Sequence, residues 1–434
     1  MSEVNEPIGV GLLGLGTVGG GVARTLRDKA GSIAQRVGRN VILRGVLVRD
    51  ASRQRDVTGV AITADAEAVL GDPSVQIVVE AMGGEEPARD YIMRAIANGK
   101  HVVTASKEVM AKHGPSILAA AADRGVEVAY EASVGGGIPV IGPFKLDLLA
   151  NDISRVTAII NGTTNYIITR MSQSGLDFAT ALAEAQTAGY AEPDPRNDIE
   201  GIDAVYKLAI LASLAFHAQV YPSDIYREGI TALEPSDFRY ARELGYAIKL
   251  LAIGKRIGDQ LELRVHPAFV PSGAMLANVD DVFNAVQVEG DLVGRILFYG
   301  RGAGAGPTAS AVIADIIDLA QSLESGVRRP ARVADASGPR PRPMSESRCR
   351  YYLRLVAADR PGVIARVAGV MGANNISLSS VIQKEDVEVA EGDRWAEIVF
   401  MTHEATESAV QRAIEEITGI DAVARVGSLI RVED

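Results

Sequence analysis

The chain has 434 residues, 47% hydrophobic and 23% charged, with a formal net charge of −11. That profile is of a globular protein long enough for two to four domains, and its acidity argues against nucleic acid or an anionic membrane as partner. The single cysteine, Cys349, excludes an intrachain disulfide and reads as a buried thiol in a reducing compartment.

No run approaches the roughly 20 apolar residues of a membrane span. The N-terminus lacks the basic start and apolar core of a signal peptide, so a cytoplasmic location is expected. Ile8–Leu13 is a short apolar run ending in glycines and reads as a buried strand. Val18, Val22 and Leu26 then recur at helical spacing. Further strands are expected at 41–48, 75–80, 101–104 and 126–131, with helices at 88–98 and 116–124 that stop at Gly99 and Gly125. Strands alternating with helices predict a doubly wound parallel sheet over residues 1–145.

The pattern changes after about residue 145. Strand-like segments at 153–160, 261–270 and from 285 onward mix with helical ones at 164–174, 177–187 and 202–216. This is an α+β region, 146–330, whose last helix, 308–322, is expected to pack back on the first domain. Residues 331–348 are rich in Pro, Arg and Ser, a linker composition. Residues 349–434 then read strand, helix, strand, strand, helix, strand, the ferredoxin-like order.

Gly14-Leu15-Gly16-Thr17-Val18-Gly19 matches G-x-G-x-x-G, and it follows a strand and opens a helix, which gives the pattern its meaning. Glycines there let backbone N–H groups approach a pyrophosphate at a positive helix end. The second strand ends at Val48-Arg49-Asp50. Arginine there suits the 2′-phosphate of NADP and an acid suits the free ribose of NAD; both are present, and Arg49 tilts the reading to NADP.

The stretch 185–207 carries several acids, two prolines, two glycines and one lysine. Pro193 and Pro195 make 190–197 a rigid loop. Asp203 and Lys207 are four apart on the following apolar helix and share a face. A lysine so placed can protonate the alkoxide that forms when a carbonyl is reduced.

This stretch, Ala-x3-Gly-Tyr-Ala-Glu-Pro-Asp-Pro-x2-Asp-Ile-x-Gly-x-Asp-x3-Lys, resembles the signature of the homoserine dehydrogenase family. The resemblance extends over residues 8 to about 322. It includes Ala81-Met82-Gly83-Gly84, Thr104-Ala105-Ser106-Lys107, 130–139, Asn161-Gly162-Thr163-Thr164-Asn165-Tyr166 and 299–304. It implies a Rossmann-type NAD(P) domain, an α+β catalytic and dimerisation domain, and reversible reduction of aspartate 4-semialdehyde to homoserine in threonine, methionine and isoleucine biosynthesis. Lys207 is then the proton donor, with Lys107 a second active-site lysine near nicotinamide and substrate. Glu192 and Asp203 would bind the substrate's amino group, and Asp198, Tyr190, Gly162 and Thr163 would line the same pocket. Leu13, Gly14, Gly16, Thr17, Val18, Gly19, Gly83, Lys107, Gly189 and Gly304 would meet the cofactor. Ser106 departs from the family's usual asparagine.

Residues 131–138 resemble the family's monovalent-cation loop, which implies sodium on the Glu131 carboxylate and the carbonyls of Val134, Gly136 and Ile138. With one cysteine and five scattered histidines, a transition-metal site is not expected. In the C-terminal region, Asp359-Arg360-Pro361-Gly362 joins a strand to a helix and Asn374-Asn375-Ile376 leads back into a strand. Both resemble an ACT domain, which implies feedback inhibition by threonine, with Asp359, Gly362, Asn374, Asn375 and Ile376 as candidate effector contacts. A fold that only dimerises is the other reading.

The family implies a homodimer, or a homotetramer joined through ACT domains. A fused aspartokinase region is not expected ahead of residue 8. A catalytically dead sensor would require damage to Lys107, Asp203, Lys207 or the glycine loop, and all are intact. A dehydrogenase of another semialdehyde or hydroxy acid fits less well, because the Glu192/Asp203 pair favours an amino-bearing substrate.

Overall fold

The computed structural model describes residues 6–53, 55, 57, 59–327, 338–387 and 395–433. The first apolar run forms β1 (Ile8–Leu13), buried at every position, and passes through the glycine turn into α1 (Thr17–Asp28). Then come α2 (Ala30–Val37), β2 (Val41–Leu47), β3 (Ala61–Thr63), α3 (Glu67–Leu70), β4 (Ile77–Glu80), α4 (Ala88–Ala97), β5 (His101–Thr104), α5 (Lys107–Arg124) and β6 (Val128–Ala129). The strands pair in parallel in the order β3-β2-β1-β4-β5-β6. That order reverses beside β1, so the glycine turn opens at the switch point where a doubly wound sheet binds its ligand.

The chain continues through α6 (Ile141–Lys145), β7 (Ile153–Ile159), α7 (Gly162–Ser174), α8 (Phe178–Thr187), α9 (Arg196–Ile199), α10 (Ile202–Ala215), β8 (Tyr226–Arg227) and α11 (Pro235–Glu243). The hairpins β9 (Tyr246–Ile257) with β10 (Gln260–Pro271), and β11 (Phe283–Gly290) with β12 (Gly294–Arg301), precede α12 (Ala305–Ser325). Last come β13 (Arg340–Pro341), β14 (Arg348–Ala358), α13 (Val363–Ala373), β15 (Leu378–Val387), β16 (Trp395–Thr402), β17 (Ala405–Thr406), α14 (Glu407–Thr418) and β18 (Val423–Val432). Of the linker-like stretch 331–348, residues 331–337 lie outside the described residues.

Two compact units result, each assembled from separated segments: 1–156, 206–224 and 283–339 in one, 157–205, 225–282 and 340–434 in the other. The first is built around the parallel sheet. Its core joins Val10 and Leu12 of β1, Val22 and Leu26 of α1, and Val312 and Ile316 of α12. A β-carbon at Gly21 of α1 would come within 2.9 Å of Ala305 O, so α12 seats against α1 only because that position has no side chain.

In the second unit one sheet runs β9-β10-β18-β14-β16-β15. Its strands β18-β14-β16-β15 are mutually antiparallel and, with α13 and α14, form the ferredoxin-like ACT fold. One edge of β10 is covered in pieces. β13 pairs at Gln260 and Leu261, β8 at Arg264 and Val265, and β18 at Ala268 and Phe269.

Three arginines in this sheet are fully buried, and each is clasped by acids. Arg354 bonds Asp237 of α11 (Nε to Oδ1, 2.7 Å), Glu397 (3.1 Å) and Ser428 (3.2 Å). Arg264 holds Glu262 and Glu433 at 2.5 and 2.6 Å. Arg431 bonds Glu407 twice, at 2.8 and 2.6 Å. Removing one member of such a buried pair strands the other charge and costs about 3–5 kcal/mol.

His266 lies fully buried beside Arg431 and Arg264. Burial first, and then those guanidiniums, push its pKa from 6.5 down to about 3. Folding therefore keeps it neutral. As pH falls from 6.5 toward 3, only the unfolded chain's imidazole takes up a proton, so stability drops over that window. Urea unfolding at pH 7.5 and 5 should show a loss about 2 kcal/mol smaller in His266→Gln than in wild type. Equal losses in both would mean that His266 does not carry the acid sensitivity.

Candidate active site

In the first unit, Gly14 N bonds Leu47 O, and β-carbons at Gly14 or Gly19 would crowd nearby backbone. Gly16 differs: a β-carbon there would meet nothing within 4 Å, so its backbone faces open space at the N-terminus of α1. No acid lies in that first turn. The turn therefore offers N–H groups and positive potential to an anion. Thr17 is exposed, Val18 half-buried, and Leu13 buried at the strand end.

The buried carboxylate of Glu80, at the end of β4, organises two neighbouring turns. It accepts from Met82 N (2.7 Å), fixing the turn that carries Gly83, and from Thr104 Oγ1 (2.6 Å). Thr104 Oγ1 in turn accepts from Ser106 N (3.0 Å), and Lys107 opens α5 directly after. Glu80 closes a strand predicted from its apolar run, but nothing in the sequence marks it as the anchor of Lys107.

Arg49 and Asp50 are both exposed beyond β2. Asp50 already accepts from Ser52 N and Oγ at 2.9 and 2.6 Å, bonds that hold its carboxyl below the usual range.

Glu131 accepts three backbone N–H bonds, from Val140 and Ile141 on Oε1 (2.6 and 2.8 Å) and Gly142 on Oε2 (2.6 Å). Gly135 and Gly136 both take positive φ (73° and 56°), turning the loop on itself. Its donor set of carbonyls and one carboxylate fits a hard monovalent cation. No His, Cys, Asp and Glu cluster able to hold a metal occurs among the described residues. Gly304, with φ 121°, caps the start of α12 in the same unit. Lys207 stands half-buried on α10. Beside it on that helix, Tyr206 OH donates to Glu108 Oε1 (3.3 Å), which Lys112 also bonds at 2.7 Å.

The second unit gathers two of the predicted acids, Asp198 and Asp203, around Asn161, a residue that the motif's chemistry alone does not single out. Asn161 caps α7 through its Oδ1, which accepts from Thr164 N (2.8 Å). Its amide Nδ2 donates both to Asp198 Oδ1 (2.7 Å) and to Asp203 Oδ2 (2.9 Å). Asp203 is 3% exposed and Asp198 half-buried, so one donor holds a carboxylate pair of which one member is out of water. Asparagine ahead of Gly162 is an ordinary cap signal, and its second function needs the fold to be visible.

Thr163 Oγ1 donates to Tyr190 O (2.7 Å), and the Tyr190 ring packs on Tyr166 with centroids 4.9 Å apart. A β-carbon at Gly162 would lie 3.0 Å from Val282 O, so that position stays bare for packing. Glu192 is exposed on the proline loop, whose backbone accepts from Gln186 Nε2 (3.2 Å). Gly189 lies in this unit too, at positive φ.

In the ACT fold, Gly362 starts α13 at φ 91°. Asp359 accepts from Gln383 (2.8 Å), Asn374 donates to Glu416 (3.1 Å), Asn375 is left-handed, and Ile376 is in the core.

Family models match three stretches of the chain. Residues 14–131 match the homoserine dehydrogenase NAD-binding domain, 139–317 the homoserine dehydrogenase domain, and 351–422 the ACT domain. The homoserine dehydrogenase of Neisseria gonorrhoeae is 42% identical over 99% of both chains. That of Synechocystis is 44% identical over 98% of this chain and 99% of its own. The chain belongs to the homoserine dehydrogenase family. It is an NAD(P)-dependent oxidoreductase. The crystal structure of a homoserine dehydrogenase from Thiobacillus denitrificans superposes with a TM-score of 0.93 at 46% identity, covering 99% of this chain and 98% of that one. A hyperthermophilic archaeal homoserine dehydrogenase solved with NADPH gives 0.60 at 25%, covering 72% of this chain and 97% of that one.

Within this family frame Asn161 is the residue to test. Asn161→Asp keeps the cap acceptor but replaces the shared donor with a third carboxylate. It should raise the KM for homoserine about tenfold or more and lower the thermal midpoint, while NADP affinity stays near wild type. An unchanged KM in steady-state assays would remove Asn161 from the site.

Proposed function

We propose that the chain interconverts aspartate 4-semialdehyde and homoserine, using NADP in preference to NAD. The observation that carries this is the Asn161 amide shared by Asp198 and Asp203. A paired, mostly buried anionic site suits the ammonium of an amino-acid substrate, with Glu192 adding a further carboxylate. Tyr190, Gly162 and Thr163 complete the wall around it.

The nicotinamide, when bound, supplies hydride to the aldehyde carbon. As reduction proceeds, the Lys207 ammonium gives its proton to the developing alkoxide, and in the oxidative direction it takes that proton back. Lys107, which opens α5 just after the Glu80–Thr104–Ser106 bonds, steadies the same oxygen. Gly14, Gly16 and Gly19 admit the pyrophosphate to the N-terminus of α1, with Leu13, Thr17, Val18, Gly83, Gly189 and Gly304 as further cofactor contacts. Arg49 is exposed at the end of β2 while Asp50 is committed to Ser52, which favours a 2′-phosphate over a free ribose. The archaeal relative's NADPH complex supports the same choice.

Sodium would be held by Glu131 and the carbonyls of Val134, Gly136 and Ile138, giving the loop a fixed positive centre. The ACT fold serves threonine, with its carboxylate at the start of α13 by Gly362. Asp359 and the 374–376 turn contribute beside it. A cytoplasmic homodimer or homotetramer completes the reading, at the branch leading to threonine, methionine and isoleucine.

The deciding experiment follows homoserine oxidation by reduced-cofactor absorbance, with NADP and NAD in parallel and with threonine titrated in. Homoserine-dependent reduction that threonine suppresses is expected. Activity on succinate semialdehyde but not aspartate semialdehyde would overturn the substrate. Lys207→Ala should lower kcat by about 100-fold or more with NADP binding intact; undiminished turnover would end its assignment as proton donor. Arg49→Ala should weaken NADPH about tenfold and NADH little, since it removes one charge-assisted phosphate contact. Equal losses would show that Arg49 does not read the 2′-phosphate.

A further inference from the structure

In the second unit, the segment Tyr226–Ile230 touches the ACT fold on one side and the acid-bearing turn on the other. Its outer contacts converge on Arg431 of β18, which is fully buried. Arg431 Nη1 pairs with Glu228 Oε1 at 2.8 Å. Its guanidinium also lies over the Tyr226 ring, 5.3 Å from the centroid, and the Tyr226 hydroxyl donates to Glu228. Glu407, at the first position of α14, takes the Nε–Nη2 edge of the same guanidinium. One arginine thus joins an ACT helix and strand to this strap.

The strap's inner contacts all end on backbone carbonyls. Glu228 N donates to Val265 O (2.8 Å), which seats the strap on β10. Ile230 N donates to Ile199 O (2.9 Å), and Arg227 Nη1 donates to Glu200 O (2.7 Å). The approach is close: a β-carbon at Gly229 would sit 2.5 Å from Ile199 O. A β-carbon at Gly201, itself at φ 77°, would sit 3.4 Å from Glu228 O. The turn so gripped, Ile199–Gly201, lies between Asp198 and Asp203, and Gly201 N bonds Asp198 O at 2.8 Å.

We infer that Arg431 is a positioning residue for substrate binding: through Glu228 it holds the strap 226–230 against the Ile199–Gly201 turn, which sets where Asp198 and Asp203 stand. Whatever shifts β18 or the start of α14 in the ACT fold then reaches the two carboxylates along this one packed path. The inference rests on reading Asp198 and Asp203 as substrate ligands.

Glu228→Gln in the full chain is the test, because it removes the charge under Arg431 while Glu407 still compensates the arginine. The homoserine KM should rise about five- to tenfold, with kcat and the NADP KM within about twofold of wild type. Hydrogen exchange at the Ile230 amide should quicken, and exchange in β1 should not change. Gly229→Ala, which presses on Ile199 O from the other side with the ACT contacts intact, should raise the same KM. The inference is overturned if both variants leave the homoserine KM unmoved. It is equally overturned if kcat, both KM values and the thermal midpoint all worsen together, the mark of a merely structural role. Asp203→Asn, assayed alongside, separates two kinds of failure. If it too leaves the homoserine KM unchanged, the substrate reading is wrong and takes the inference with it; if it alone raises KM, the strap is wrong.

Discussion

Two carboxylates held close together repel each other, and one taken out of water also loses its hydration. Asp198 and Asp203 are nevertheless gathered in one place, and a neutral amide between them makes this tolerable. The Asn161 side chain commits both of its amide hydrogens to the two acids and its oxygen to the first turn of α7. No other uncharged side chain but glutamine offers two donors and an acceptor in one plane. A lysine there would cancel much of that negative charge. The amide keeps the net negative charge while giving it fixed geometry.

Other anchors work in the same way, one buried polar group ordering two segments. Glu80 sets both the Gly83 turn and the approach to Lys107. Glu131 fastens the glycine loop to the start of α6. Cys349, by contrast, orders nothing of this kind. Burial pushes its thiol up to about 11, which leaves it inert.

Much of this is legible in the sequence, for physical reasons. The glycine turn and the proline loop are local, and their chemistry sits within a few consecutive residues. The apolar runs of the parallel sheet are short, punctuated by glycine and hard to mistake. What escapes depends on partners distant in sequence. β9 is a nearly continuous apolar run without alternation, ambiguous between buried helix and buried strand until β10 lies beside it. Arg354 and Arg431 sit in strands where a charge ordinarily marks a solvent face. Their acids come in part from α11 and from the 226–230 segment, far back in the chain. Asn161 reads as a cap because capping needs only three residues, whereas its hold on Asp198 and Asp203 needs the fold.

The piecemeal cover on β10 has a consequence for how the chain avoids sticking to itself. Two short strands, β13 and β8, and the end of β18 each occupy two residues of an edge that would otherwise run open beside Leu261, Val265 and Phe269. An uncovered edge of that kind is a template for pairing with another molecule. The strands that satisfy it come from three parts of the sequence, and the last is the final strand of the ACT fold. The ACT module therefore closes one stretch of that edge, and a version shorn of it would leave Ala268 and Phe269 without that partner strand.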